Sequence, residues 1–83
     1  MKTNLYCEKL DISFKILDIE HGRYHCEFKT VPDPYNFLVI GNKYALFHQK
    51  EKYFFDVILT ELELTDDSYS DTLRGFCVFE KCS

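Results

Sequence analysis

His21 and His25 carry a His-x3-His spacing, and Cys26 follows directly, a set of residue types from which structural zinc draws its ligands. Cys7, Cys77 or His48 would have to complete such a site in space. Glu61 and Glu63 suggest a second chemistry. At i,i+2 they share one face of an extended strand, with Asp56 on the other, and paired carboxylates divide general acid and base work when a cleft brings them to a substrate. A third is nucleophilic and would join Ser13 or Cys82 to His25 or His48. No motif fixes any of these sets. The chain has no HExxH, no Cys-x2-Cys, no glycine-rich phosphate loop, no nucleophile elbow and no N-glycosylation acceptor after Asn4, Asn36 or Asn42.

The elements that must position these residues read as strands. Ile12, Phe14 and Ile16 alternate on one run, and Tyr24, Cys26 and Phe28 alternate on the next. A three-residue loop at 20–22, closed by Gly22 in the left-handed conformation, sets Phe14 across from Phe28, Ile16 across from Cys26 and Lys15 across from Glu27. His21 then sits in the loop, His25 on the outer face and Cys26 toward the core, so the zinc set is pulled apart. Pro32 and Pro34 end the second strand. A Gly41-Asn42 turn leads into a strand over 43–49, and the polar turn 49–52 pairs Leu46 with Phe55 and Tyr44 with Val57.

Residues 53–65, YFFDVILTELELT, change phase partway along: Phe55, Val57 and Leu59 share one face, Leu62 and Leu64 the other. A β-bulge or sharp bend near 59–62 returns both sets to one core, as where a strand passes from one sheet into the next. A polar loop, 66–71, follows, then a strand over 74–81 with hydrophobes on both faces. Residues 2–10 and 68–73 each have room for one helical turn, and no segment sustains helical periodicity. The expected fold is all-β: one domain over residues 1–83, a small antiparallel barrel of SH3-like or OB-like size with five to six strands, one of them long and bent. The runner-up is an open sheet of three to five strands that dimerises to cover an apolar face.

At 83 residues and 9.9 kDa the chain supports one modest core. Surface scaling gives roughly 5,200 Å² exposed when folded against roughly 14,000 Å² extended. Aromatic content is 17% with only three Gly and two Pro, which marks a packed domain and not a disordered tail. No apolar run approaches the twenty residues of a membrane-spanning helix, and the first residues lack the apolar core of a secretory signal. The expected location is the cytoplasm, with thiols reduced: Cys26 and Cys77 read as small core residues and Cys82 as exposed. A disulfide between two of the cysteines is conceivable, but four cysteines permit three fully paired connectivities, and the sequence does not choose among them.

Charge is the sharper signal. Residues 1–53 hold eight basic and seven acidic residues, whereas residues 54–83 hold two basic and seven acidic ones. Six acids and no base occur between Asp56 and Asp71. Such a face repels a phosphate backbone, and it suits a basic surface on another protein. The sequence thus points to a non-catalytic protein-binding module: a small inhibitor, an adaptor or an assembly subunit, with no cofactor and no metal. The expected contact residues are Glu61, Glu63, Asp66, Asp67, Tyr69 and Asp71, the two glutamates steering association and Tyr69 serving as anchor. One alternative is a single-strand nucleic-acid barrel using Tyr44 and Tyr53 beside Lys43, Lys50 and Lys52. Another is a homo-oligomeric structural protein, a homodimer in its simplest form.

Overall fold

The structure is a computed structural model that describes residues 4–30, 38–66 and 73–82. Six strands follow in order: β1 (Asn4–Cys7), β2 (Ile12–Glu20), β3 (Arg23–Thr30), β4 (Lys43–His48), β5 (Tyr53–Asp66) and β6 (Leu73–Lys81). All pairings are antiparallel, and the strands close into a barrel in the order β1-β2-β3-β6-β5-β4. The expected small barrel with one long bent strand is therefore the fold, and the open-sheet alternative is not.

β1 lies within residues 2–10, where the sequence leaves room for one helical turn, and is the strand that completes the circle. Leu5 lies opposite Phe14 on β2 and opposite His48 on β4. Leu5 and Cys7 are buried and Tyr6 faces outward, a period-two pattern only four residues long. The helical turn expected within 68–73 lies outside the described residues, except that Leu73 begins β6.

Alternation fills the barrel. Phe14, Phe28 and Phe79 meet edge to face, with ring centroids 5.4 Å apart for Phe14 and Phe28 and 5.0 Å for Phe14 and Phe79. Leu5, Leu46, Val57, Leu59 and Cys26 complete a continuous buried cluster around them. Full burial of a large apolar side chain stabilises by about 1.5–3 kcal/mol, and edge-to-face ring pairs add to this. β6 reaches Phe28 only because it carries Gly75 there: a Cβ at that position would stand 2.5 Å from Phe28 Cζ.

The first hairpin has the expected register but not the expected loop. Phe14 faces Phe28, Lys15 faces Glu27 and Ile16 faces Cys26, yet Glu20 pairs with Arg23, leaving a two-residue loop of His21 and Gly22. Both loop residues have positive φ, 53° and 76°, the type I′ form whose twist matches that of the strands. The residue thus removed from the loop reappears as a bulge at Leu17, where the register shifts between Ile16 and Asp18.

The second hairpin is as expected. Leu46 faces Phe55, Tyr44 faces Val57, and Lys52 N donates to His48 O at 2.8 Å across the turn. β5 then bulges at Thr60, between the pairs Leu59–Phe79 and Glu61–Val78. Phe55, Val57 and Leu59 are buried and Leu62 packs against the same core, as the phase change implies. Leu64 departs from that expectation. It lies opposite Gly75 near the end of the barrel and remains 45% exposed. The bulge also carries Asp56, Glu61 and Glu63 to the outside together, whereas an unbroken strand would have set Asp56 apart from the other two.

Candidate functional site

The outer face of β2, β3, β6 and β5 is built of cross-strand rows. One row runs Asp18, His25, Val78, Glu61; the next runs Lys15, Glu27, Phe76, Glu63. The bulge at Leu17 puts an apolar side chain between those rows at the β2 end. The result is a groove of about 490 Å³ whose lining includes Leu17, His25, Phe76 and Val78, with Glu61 and Glu63 along its β5 side. Phe76 is 37% exposed, and Val78 is buried although it belongs to the outer face and not to the barrel core.

Charges around the groove divide into held and unheld. Arg23 Nη2 donates to Glu61 Oε2 at 3.1 Å, reaching across β6 from β3 to β5. Arg74 donates to Glu27 Oε1 through Nη2 at 2.6 Å and Nε at 3.1 Å, and its guanidinium stands 5.8 Å from the Phe76 ring centre. Glu63 is exposed and has no ion-pair partner among the described residues. Of the expected contact residues, the structure places Glu61 and Glu63 side by side on the groove wall and Asp66 at the end of β5. Asp67, Tyr69 and Asp71 lie outside the described residues.

The other chemistries do not assemble. His21 occupies the turn, His25 lines the outer groove and Cys26 is buried, and no three His, Cys, Asp or Glu side chains converge on a metal-sized site among the described residues. Cys26 and Cys77 face one another across the β3–β6 ladder as buried thiols, and Cys7 is buried as well. Their hydrogen bond and the burial push the Cys77 thiol up, which suppresses the nucleophilic thiolate. All four cysteines are free, and Cys82 is half-buried where exposure was expected.

The tyrosines named for base stacking are not available outside. Tyr44 is buried, and its hydroxyl accepts from Val39 N at 2.8 Å. Tyr53 stacks on His48 with ring centres 5.2 Å apart and planes 8° from parallel, and it packs against the core. Lys43, Lys50 and Lys52 are exposed without either ring as an open platform. Sequence reasoning missed a different aromatic row. Tyr6, Phe47 and Phe54 lie opposite one another across β1, β4 and β5 on the outer face, with Phe47 and Phe54 4.8 Å apart and Phe54 58% exposed. The Tyr6 hydroxyl donates to Asp11 Oδ1, a bond that pushes the phenol above its ordinary range. Finding that row in the sequence required recognising the four-residue β1 as a strand.

The chain matches no protein-family model, no curated protein and no solved structure.

Proposed function

We propose that this barrel is a non-catalytic protein-binding module that contacts its partner through the groove on β2, β3, β6 and β5. The observation that carries this reading is Phe76, exposed on the outer face beside the Glu63 carboxylate, which has no ion-pair partner among the described residues, with Leu17 and Val78 completing an apolar floor. An aromatic anchor in a water-excluding groove with charge at its rim is the anatomy of a binding surface. The partner offers apolar side chains to the floor and basic groups to Glu63. Asp66, Asp67, Tyr69 and Asp71, which follow in the sequence, are the further contacts of this reading, the three acids for the partner's basic groups and Tyr69 as a second anchor. The setting is cytoplasmic, and the role is that of an adaptor, an inhibitor or an assembly subunit.

Affinity capture with three baits tests this: the wild type, Phe76→Ser with Glu63→Lys, and Tyr69→Ala with Asp66→Lys and Asp67→Lys. A partner retained by the wild type and lost from the first variant identifies the groove, and parallel loss from the second extends the site to the loop. Equal recovery on all three baits removes this surface as the site. Single-strand nucleic-acid binding is favoured by one observation, the outer row of Tyr6, Phe47 and Phe54. Salt-dependent oligonucleotide binding that disappears in Phe54→Ser would support that reading over protein binding.

A further inference from the structure

We infer that the free edge of β5, residues 61–65, takes up an extended segment of a partner protein as an added strand, and that this segment alternates basic and apolar residues. The inference rests on the protein-binding reading above and supplies its mode. β5 is 14 residues long, but its pairing with β4 ends at Lys43 opposite Ile58. Gly41 N to Leu59 O at 2.8 Å and Leu59 N to Asn42 O at 3.1 Å are the last backbone bonds on that side among the described residues. Beyond them β5 continues to Asp66 with β6 on one edge and no described strand on the other. A row of unpaired N–H and C=O groups is a template for another chain.

The comparable edge of β2 is blunted. β1 pairs only with residues 12–15, and past them β2 is broken by the bulge at Leu17. The Ile19 N–H is already taken by the Asp18 carboxylate at 2.9 Å. Among the described residues β5 has no such protection after Thr60.

The side chains along this edge define the occupant. Glu61 and Glu63 project outward, and Leu62 and Leu64 project to the barrel side, where Leu64 is 45% exposed. An added strand sets its own residues beside these at period two, so Lys or Arg falls against the carboxylates and Val, Ile or Leu against the leucines. A second copy of β5 fits poorly. Antiparallel self-pairing centred on Leu62 or Glu63 places carboxylate against carboxylate, which repels.

The test uses the full chain and a nine-residue capped peptide alternating lysine and valine, followed by backbone amide shifts and hydrogen exchange. Two N-methylated forms of the peptide block alternate sets of its N–H groups. The expected result is exchange protection at residues 61–65, with one N-methylated form weakened at least ten-fold and the other unchanged, since only one set faces β5. Glu63→Lys should weaken the lysine peptide by up to about five-fold, the size of one cross-strand charge pair. Equal binding of both methylated forms, or no protection at residues 61–65, overturns strand addition. If the peptide instead shifts Leu17, Phe76 and Val78 alone, groove binding survives and the edge does not. Equal binding of a glutamate–valine peptide overturns the charge assignment, and protection of the same amides by self-association without peptide makes a second copy the occupant.

Discussion

Arg23 on β3 holds Glu61 on β5 across the width of β6, at the level where Val78 is buried on the outer face. Two strands that are not paired with each other are thereby joined over the apolar floor, and one of the two wall carboxylates is neutralised while Glu63 has no ion-pair partner among the described residues. Both members of the pair are substantially exposed, so its worth to folding is small, about 0–1 kcal/mol. Arg23→Ala is therefore expected to leave urea stability nearly unchanged and to enlarge the acidic field of the groove. Equilibrium denaturation beside partner or peptide titration checks this, and a loss above about 2 kcal/mol would show that the pair is structural.

Gly75→Ala forces a methyl against the Phe28 ring, 2.5 Å from Cζ and 2.7 Å from Cε1, with Glu63 O at 3.1 Å behind it. Phe28 is buried and cannot swing clear, so overpacking should cost about 1–3 kcal/mol. Phe28→Leu made together with Gly75→Ala should cost less than the two single changes added. A double-mutant cycle by urea denaturation reads that coupling, and strict additivity would disprove the contact.

The His21-Gly22 turn needs positive φ at both positions. Gly22→Ala should destabilise by about 1–2 kcal/mol, the cost of placing a Cβ in the left-handed region. His21→Asn should raise the melting temperature, because asparagine tolerates that conformation best beside glycine. A melting temperature indifferent to both changes would mean that the turn is not the one described.

Alkali should unfold the domain through Cys77 and Tyr24. The hydrogen bond to Cys26 and burial raise the Cys77 thiol above its ordinary 9.0, and burial raises Tyr24 above 10.0. Each group keeps its proton in the folded state after it would have lost it in the unfolded chain. Their contributions are complete below those ordinary values and are lost as pH climbs above them, at up to about 1.4 kcal/mol per pH unit for each group. Urea midpoints between pH 7 and pH 10.5 should fall above pH 9, and Cys77→Ala should make that fall shallower. An unchanged slope in Cys77→Ala would remove the thiol from the account.

Much of the barrel was legible because alternation is a direct record of which way side chains point. Leu46 against Phe55 and Tyr44 against Val57 follow from period two and turn length alone, whereas Phe14 against Phe28 follows from period two and a loop length that the Leu17 bulge makes up. β1 was illegible because four residues contain too few alternations to outvote a helical turn. The first loop was misjudged for a different reason: a two-residue loop plus one bulged residue preserves the same register as a three-residue loop. Glu61 and Glu63 could be placed outside from their spacing. The groove beside them could not, since it needs the Leu17 bulge and the ordering of β2, β3, β6 and β5. The one sequence signal for it was β6 itself, whose hydrophobes on both faces include Phe76 and Val78 turned away from the core.

The two bulges give the chain tolerance to changes in its own length. Removing Leu17 would leave Asp18 directly after Ile16, still opposite His25 and still facing outward, and removing Thr60 would do the same for Glu61 opposite Val78. Elsewhere in these strands the loss of one residue would turn every later side chain to the wrong face. Leu17 and Thr60 are thus the positions where shortened versions of this domain can arise and still fold, each one trading away a piece of the outer surface while the barrel inside keeps its register.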